Sequence, residues 1–403
     1  MGAGIGGLAA AIALARQGWS VDVYERAPSI EMVGAGLSLW RNALTALDAI
    51  GLGDAVRETS VPGPAAMLRT ADGAPLSDLG QKRAAEEAGA PALSVVMHRA
   101  DLQRVLLEGA ERVGVRLHLG KTCVAFSEDA RSNAADVASG GNAGVTVRFD
   151  DGGTAFGDLL VGADGIRSVV RGELHGHEAP RYAGYIAWRG VTRFDHARLL
   201  VGESWGHGQR FGQLPMRDGQ VYWFAVANAP AGTVAVRKTA AGEAARPAEI
   251  DGAAEKVEVL RRFGNWHAPI RDLVEATDAS AILRNDIADR EPLTTWGRGR
   301  VTLLGDAAHP MTPNLGQGAC QALEDAVVLA RELARTQDVE VGLRAYEAER
   351  APRTRAIVLR SRQMGAMGQW ENPAAVTLRN AIMRILPAGM QQRQLAPILD
   401  WRP

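Results

Sequence analysis

Cysteine is scarce in this chain, which has only Cys123 and Cys320 among 403 residues and no C-x-x-C pair. A disulfide framework and a dithiol redox site are therefore excluded, and this usage fits a reducing cytoplasm. No apolar run reaches the ~18 residues that a spanning helix needs, and no basic segment precedes an apolar stretch at the N-terminus. The sequence thus predicts a cytoplasmic protein without an integral membrane segment.

An excess of one charge is also missing, since 45 Lys and Arg face 46 Asp and Glu for a net charge of -1. This balance excludes a dedicated nucleic-acid binder. The hydrophobic share of 46% and the charged share of 23% are typical of globular proteins, and the length predicts two or three domains. Glycine, at 46 residues, exceeds its average usage of ~7%, and several glycines fall in motifs.

The chain opens on the turn Gly2-x-Gly4-x-x-Gly7, which is followed by an alanine-rich helix and, 18 residues after Gly7, by Glu25 at the end of an extended segment. Glycines at these positions let a pyrophosphate approach the N–H groups at the positive end of a helix. A carboxylate that ends the next strand accepts hydrogen bonds from ribose hydroxyls. The pattern therefore predicts a dinucleotide site, although a glycine hexamer alone is also common in ordinary loops.

The strand that normally precedes such a turn is absent, because only Met1 stands before Gly2. Loss of a central strand costs more free energy than a domain has to spare. We therefore expect that the true start lies upstream or that the chain has been shortened. A stable, cofactor-loaded monomer that begins at Met1 would contradict this hypothesis.

Two further motifs place an acid at the end of an apolar strand. Leu159 to Arg171 contains Gly162-Ala163-Asp164-Gly165, which either serves a ligand or simply caps a helix. Arg300 to Asp325 contains Gly305-Asp306 and a glycine-rich entry to a long helix. This third motif predicts another helix N-terminus that faces a ligand.

Nine of the 21 aromatic residues lie between Arg181 and Ala227, where they predict an antiparallel sheet that lines a flat apolar cavity or forms only core. One strand is predicted over Val115 to Phe126. Composition predicts connecting segments over Ser127 to Gly144 and Ala229 to Ala254. Mostly helical sequence follows the third motif.

In this order and spacing, the three motifs resemble those of the FAD-dependent aromatic hydroxylases of the p-hydroxybenzoate hydroxylase fold, the group A flavoprotein monooxygenases. The tail Gly368 to Pro373 is similar to tails of the salicylate, 3-hydroxybenzoate and urate hydroxylase branch. The resemblance also includes Val33 to Leu47, Met97 to Leu102 and Tyr185 to Pro215. It implies an enzyme that uses NADH or NADPH and O2 to hydroxylate a small or medium planar aromatic or heteroaromatic substrate through a C4a-hydroperoxyflavin, without a metal.

The implied fold is α/β, with a discontinuous Rossmann-type FAD-binding domain, a β-rich substrate domain and C-terminal helices. We expect the FAD-binding domain over residues 1–70, 97–172 and 280–345. We expect the substrate domain over 71–96 and 173–279, and a C-terminal helical segment over 346–403.

The resemblance further implies a set of FAD contacts. The glycine turn holds the pyrophosphate, Glu25 holds the adenosine ribose, and Asp306 binds a ribityl hydroxyl. The turn Leu315 to Gly318 passes the isoalloxazine ring, and the dipole of the helix that follows stabilises reduced flavin. The implied cofactor residues are Gly2, Gly4, Gly7, Glu25, Arg26, Arg41, Arg99, Asp164, Asp306, Pro313, Leu315, Gly316 and Gly318.

Arg189 is the candidate catalytic residue, which either pairs with a substrate carboxylate or enolate or merely caps the sheet. The strand register is not fixed by the sequence, so the substrate candidates include residues of both faces. These candidates are Tyr185, Trp188, Arg189, Arg210, Gln213, Pro215 and Trp223.

Other reactive residue types carry no function in this interpretation. We expect His309 to be a helix-entry residue bonded to backbone, and Cys320 to be packing within its helix. His175 and His177 are expected at the surface, because no third metal ligand accompanies them.

Two other functions stay open at this point. A flavin oxidase or reductase uses the same scaffold, although the halogenase motif W-x-W-x-I-P is not found. A non-enzymatic flavin-binding protein is the second alternative. The sequence does not choose between NADH and NADPH, between monomer and homodimer, or among substrates.

Overall fold

The structure is a computed structural model that describes residues 1–31, 34–63, 67–78, 93–129, 143–231, 251–385 and 395–403. Most of the predicted segments Ser127 to Gly144 and Ala229 to Ala254 lie outside the described residues, as does Val33.

Helices and strands alternate through the N-terminal half, and long helices follow in the C-terminal part. The helices are α1 (Ile5–Arg16), α2 (Arg41–Ala49), α3 (Gly53–Glu58), α4 (Arg99–Arg112), α5 (Val169–His175), α6 (Gly252–Phe263), α7 (Ile270–Ala276), α8 (Gly318–Ala334), α9 (Val339–Gly368) and α10 (Pro373–Ile385). The strands are β1 (Asp22–Tyr24), β2 (Gly36–Trp40), β3 (Val61–Pro62), β4 (Met67–Thr70), β5 (Pro75–Asp78), β6 (Ser94–His98), β7 (Arg116–His118), β8 (Cys123–Asp129), β9 (Gly144–Phe149), β10 (Thr154–Gly157), β11 (Leu160–Gly162), β12 (Arg181–Arg193), β13 (Gly202–Trp205), β14 (Gln209–Pro215), β15 (Gln220–Asn228), β16 (Leu283–Asp289) and β17 (Val301–Leu303). The α/β class and the C-terminal helices are therefore confirmed.

The strand predicted over Val115 to Phe126 is wrong in one respect, because the structure divides it into β7 and β8. Gly120 lies between them with φ of +67°. This left-handed conformation favours glycine and turns the chain, so the two strands enter different sheets.

Two parallel strand pairs flank the glycine turn, β1 with β7 and β11 with β17. The first residues of the chain lie between the pairs. The Met1 amino group donates to the Val161 carbonyl at 2.7 Å. Gly2 N–H donates to the Tyr24 carbonyl at 2.8 Å, and Ala163 N–H donates to the Met1 carbonyl at 2.8 Å. Met1 and Gly2 thus hold the position where a full central strand was expected.

Helix α1 packs closely against α8 and the end of β17 because its facing residues are small. A Cβ atom on Gly6 would lie 2.7 Å from the Leu304 side chain and 3.1 Å from the Ala322 Cβ. Leu8 and Ile12 are buried in the same core. This packing fixes the glycine turn relative to the third motif.

The aromatic region forms most of a seven-stranded sheet in the order β16-β12-β15-β14-β13-β4-β5. Its described pairs are antiparallel except for β13 with β4. The predicted antiparallel sheet is confirmed. Strands β4 and β16 belong to this sheet although they fall inside segments expected in the FAD-binding domain, and the domain boundaries stay a prediction.

Side chains alternate along β12, β14 and β15, and they give this sheet two different faces. We call the side under α6 and α7 the helix face; its buried residues are Ile186, Trp188, Phe211, Val221, Trp223, Ala225 and Ala227. We call the opposite side the cleft face; its residues on these strands are Tyr185, Ala187, Arg189, Arg210, Leu214, Tyr222, Phe224 and Val226. Within the described part of the chain, we find no helix that is long and apolar enough to cross a membrane.

Candidate active site

The glycine turn leaves space at the N-terminus of α1. Gly2 has φ of +99°, and a side chain there would collide with the Ala163 carbonyl. Among the described residues, nothing lies within 4 Å of the position that a Gly4 Cβ would take, and no side chain caps the helix. An anion can therefore reach the N–H groups of this helix end.

Glu25 closes one side of the turn. Its Oε2 accepts a hydrogen bond from Ala3 N–H at 2.8 Å, and its Oε1 accepts one from Ala27 N–H at 3.0 Å. Gln103 of α4 donates to the Ala3 carbonyl at 2.7 Å and holds the turn from the other side. Arg26 is exposed beside Glu25. A carboxylate fixed at this place supports the ribose role predicted for Glu25.

Asp306 extends into the same cleft from the turn after β17. Solvent reaches its side chain through the cleft, and a Cβ on Gly318, the first residue of α8, would lie 4.0 Å from its Oδ1. Desolvation by the cleft walls raises the pKa of Asp306, and attraction to His309 and Arg99 opposes that rise. Asp306 and Arg99 are therefore close enough to interact electrostatically.

A buried ion network, which the sequence analysis missed, holds the turn that carries Asp306. Asp325 of α8 accepts a hydrogen bond from Gly305 N–H at 3.0 Å and from Arg350 Nε at 2.7 Å. Its Oδ2 lies 2.6 Å from His309 Nε2. Burial opposes ionisation, yet His309 and Arg350 lower the pKa of Asp325 to about 2. The His309 imidazole is bonded to a carboxylate and not, as expected, to the backbone.

Asp164 and Arg41 contact groups of the protein itself. Asp164 Oδ1 accepts from the Ser168 hydroxyl at 2.5 Å, and its Oδ2 accepts from Val169 N–H at 2.7 Å. Asp164 therefore caps α5, which is the alternative that the second motif left open. Arg41 forms an ion pair with Asp400 near the C-terminus. Cofactor contacts of these two residues stay predictions.

The turn before α8 brings a second helix N-terminus to the cleft. Pro313 to Leu315 form a short 3-10 helix, and Gly316 follows with φ of +61°. A Cβ on Gly316 would lie 3.1 Å from Trp40 Nε1, and no side chain caps α8. The N–H groups of α8 are thus available to a ligand that lies along the turn.

Asn314 connects this turn to the cleft face of the sheet. Its Nδ2 donates to the Tyr185 hydroxyl at 2.9 Å, and its Oδ1 accepts from Arg210 at 2.7 Å. A Cβ on Gly365 of α9 would crowd the Asn314 and Tyr185 side chains, so glycine at this position permits the contact. The sequence analysis named both neighbours of Asn314 but missed Asn314 itself.

Arg210 is the buried cation of the cleft face. Its Nε donates to the Gln369 side chain at 2.9 Å, its NH1 lies 3.2 Å from Glu203 Oε1, and its guanidinium is 5.9 Å from the centre of the Tyr185 ring. Glu203 and Gln369 were not among the predicted site residues. Gln369 lies within the tail that carried part of the resemblance, whereas no motif marks Glu203.

Four of the seven predicted substrate residues lie on the helix face. Trp188 Nε1 donates to Glu255 at 2.6 Å and Trp223 Nε1 donates to Thr277 at 2.8 Å, both beneath the helices. Gln213 and Pro215 pair with Trp223 and Val221 in the register and share their face. The reason is the two-residue period of a strand, which the sequence does not anchor.

Tyr185, Arg189 and Arg210 do lie on the cleft face. Arg189 is half-buried and donates to the Asn285 side chain at 2.9 Å. Tyr222 and Phe224, which sequence reasoning placed only in the aromatic cluster, share this face. The Tyr222 ring packs directly on Gly36 of β2, and a side chain at Gly36 would collide with it. Burial raises the pKa of the Tyr222 hydroxyl.

A cavity of about 620 Å³ adjoins the Asn314 contact, on the side of α9. Its lining includes Tyr185, Asn228, Thr312, Arg362 and Gln369. Because Tyr185 and Gln369 also contact Asn314 and Arg210, this space borders the candidate site.

His175, His177 and Cys320 were expected to carry no chemistry. His175 and His177 are exposed, and no group of metal-ligating side chains occurs in the part of the chain that the structure describes. Cys123 and Cys320 are free and buried. Desolvation raises their thiol pKa values to about 11 and about 12, so neither is a nucleophile near neutral pH.

These features define the class of the protein: an α/β protein whose glycine turn, at an uncapped helix N-terminus, suits a dinucleotide. Residues 1–361 match the family described as FAD binding domain, and the chain belongs to this family.

Named relatives and solved structures agree with this assignment. The aurachin C monooxygenase/isomerase of Stigmatella aurantiaca is 42% identical over 406 residues, which cover 100% of this chain and 97% of the relative. The 2-heptyl-3-hydroxy-4(1H)-quinolone synthase of Pseudomonas aeruginosa is 33% identical and covers 97% and 94%. The structure of Klebsiella pneumoniae HpxO with FAD and uric acid has a TM-score of 0.81 at 34% identity, covering 99% and 94%. The protein is an FAD-dependent monooxygenase of the aromatic hydroxylase group, as the resemblance implied.

Proposed function

We propose that this protein uses NADH or NADPH and O2 to hydroxylate a small or medium planar aromatic or heteroaromatic substrate. The observation that carries the proposal is the position of Asn314. This one side chain belongs to the turn that faces the flavin in the proposal, and it is bonded to Tyr185 and Arg210 on the cleft face. A flat ligand on that face therefore lies next to the cofactor.

FAD fits the first wall of the cleft on three observations. The space beside Gly4 is open to a pyrophosphate, Glu25 is held at the edge of the turn, and Asp306 reaches into the cleft. When bound, FAD supplies the transfer of electrons from NAD(P)H to O2 that yields the hydroxylating oxygen. The uncapped N-terminus of α8 stabilises negative charge at the end of the cleft that it faces.

The cleft face supplies orientation and exclusion of water. Tyr185 and Phe224 offer ring faces on which an aromatic substrate stacks. The Arg210 guanidinium has more N–H groups than its contacts with Gln369, Asn314 and Glu203 use, and it offers a hydrogen bond to a ring substituent at the edge of that stack. Tyr222, packed on Gly36, closes the side toward β2 and keeps bulk water away from the reacting atoms.

The names of the relatives support a nitrogen heterocycle as substrate. One relative is named for a 4(1H)-quinolone, and a solved relative holds uric acid. We propose a substrate of this size and shape that carries an activating hydroxyl or amino group. The cytoplasmic location predicted from the sequence is part of this proposal.

The test is oxidation of NADH and of NADPH by the FAD-loaded protein, with hydrogen peroxide counted in parallel. The compounds are hydroxybenzoates, salicylate, urate, hydroxyquinolones and larger polyphenols. We expect one compound class to stimulate oxidation with little peroxide and to yield a product that has gained one oxygen atom.

Two results would contradict the proposal. Peroxide release that is independent of the compound would indicate an oxidase or reductase. FAD binding without NAD(P)H oxidation would indicate a flavin-binding protein that is not an enzyme.

A further inference from the structure

Glu203 is a carboxylate on the cleft face that the flavin chemistry does not require. It lies on β13 opposite Gly212 of β14, and its side chain is 22% exposed. The Oε1 atom is buried, 3.2 Å from Arg210 NH1. Burial raises the pKa of Glu203, and attraction to Arg210 opposes that rise. The ion pair places the negative charge of Glu203 directly beside the cation of the cleft face.

The remaining polar contacts of Arg210 are to uncharged groups. Gln369 and Asn314 accept from its Nε and NH2 at 2.9 and 2.7 Å. Gly368 of α9 packs against its aliphatic part, and only 3% of the residue is exposed. Arg210 is thus clamped in one position, and its single positive charge is balanced by Glu203 within the protein.

Two other arginine side chains near this face, Arg379 and Arg189, contact groups other than Asn314. Arg379 of α10 stacks over Trp205 at 5.2 Å and donates to the carbonyls of Met367 and Gly206. Arg189 lies further along β12, with its guanidinium on Asn285. The charge beside the Asn314 contact is therefore set by the Glu203–Arg210 pair.

We infer that Glu203 is a specificity-determining residue, which pairs with Arg210 and makes the site select an uncharged aromatic ring over an anionic one. The inference rests on the proposed function, because it takes the cleft face as the place where the ring binds.

Charge and hydration give the physical reason. An anionic ring must lose water to enter the cleft, and a free arginine would offset this cost with an ion pair. Here the arginine is already neutralised, and the anion meets Glu203 at short range in a poorly hydrated site. A neutral ring loses less hydration and still accepts hydrogen bonds from the clamped guanidinium and amide groups. The Glu203 carboxylate thus makes the site selective by repelling anionic rings.

The test compares two ligands of one shape. Salicylate is an anion at neutral pH, and salicylamide is its uncharged amide. Each is titrated into oxidised, FAD-loaded protein without reductant, and the change in flavin absorbance gives the dissociation constant. This experiment measures binding without turnover. Its result can therefore contradict the role of Glu203 while NAD(P)H oxidation still supports the proposed function, and the opposite pair of results is equally distinguishable.

We expect the unmodified enzyme to bind salicylamide about tenfold more tightly than salicylate, and E203Q to lose that preference. Glu203→Asp keeps the charge and is expected to keep the preference. The matched control is Glu255→Gln, which removes an ion-paired carboxylate, bonded to Arg284 at 2.7 Å, from the other face of the same sheet. FAD content measured on each variant reports its folding.

The inference is overturned if the unmodified enzyme prefers salicylate, or if E203Q retains the preference for salicylamide. Equal loss of preference in E203Q and E255Q would also contradict it, because the effect would then not come from the cleft face. If neither ligand changes the flavin absorbance, the cleft face does not bind an aromatic ring beside the flavin, and the inference is contradicted.

Discussion

The same strands form both faces of the seven-stranded sheet, but one face packs against helices and the other contacts the turn before α8. On the helix face, Trp188, Phe211 and Trp223 are buried under α6 and α7, and the indole N–H groups of the two tryptophans donate to protein acceptors. On the cleft face, Tyr185 and Arg210 are bonded to Asn314 of the neighbouring turn. Both faces are rich in aromatic residues, so the proposed substrate wall is distinguished by its hydrogen bonds to the turn before α8.

The helix face stabilises the fold, so the loss of one of its buried side chains should lower the free energy of unfolding. Trp223→Ala removes a fully buried indole and is expected to lower that free energy by about 3–5 kcal/mol. The Michaelis constant of the protein that stays folded should not change. Denaturant unfolding and kinetics on the same sample check both points, and a raised Michaelis constant at full stability would reverse the roles of the two faces.

The opposite wall of the cleft should act on the cofactor. Asp306→Ala is expected to weaken FAD binding by about 10- to 100-fold, because it removes hydrogen bonds to a charged acceptor. Asp338→Ala is the comparison, since Asp338 caps α9 by accepting hydrogen bonds from Glu340 N–H and Val341 N–H. This substitution should cost about 1 kcal/mol of stability and leave FAD affinity unchanged. FAD titration monitored by fluorescence measures the FAD affinity of both variants. Unchanged affinity in D306A would remove the assignment of the third motif.

The cleft face should affect turnover with little effect on stability. Tyr185→Phe deletes the hydroxyl that Asn314 contacts and keeps the ring. We expect kcat/KM to fall by about tenfold and the free energy of unfolding to change by about 1 kcal/mol or less. A larger fraction of NAD(P)H should be lost as peroxide. Unaltered kinetics and coupling would place the substrate elsewhere.

The smallest effect is expected at Gln213, which was predicted to touch the substrate. It is 1% exposed on the helix face, and its Oε1 atom has no hydrogen-bond partner among the described residues. Gln213→Met keeps the side-chain length and removes a buried polar group, so stability should stay within about 1 kcal/mol or rise. Steady-state constants should be unchanged. A marked loss of substrate affinity would show that Gln213 faces the cleft after all.

The sequence predicted those parts of the site that depend on short-range pattern. Glu25 follows β1 and Asp306 follows β17, and these strands belong to the two parallel pairs that flank the glycine turn. The faces of the sheet were not predictable, since shifting a strand by one residue exchanges its faces without changing its composition. Four of the seven substrate candidates therefore lie on the helix face for one shared reason.

The sequence also does not predict which residues from distant parts of the chain are hydrogen-bonded to each other. Asp325 and Arg350 lie on different helices, and Gln369 reaches Arg210 across 159 positions of the chain. Asn314 carries a clearer signal, because it stands between Pro313 and Leu315, which were both assigned to the cofactor turn. A polar residue in such a turn is a candidate for contact with the facing wall.

The most direct test of the central claim is a crystal structure of the FAD-loaded protein with a bound aromatic ligand such as salicylamide. The account predicts that the ring lies on the cleft face, in contact with Tyr185 and Phe224 and within hydrogen-bond distance of Asn314 or Arg210. A ring bound beneath α6 and α7, against Trp188 or Trp223, would contradict it.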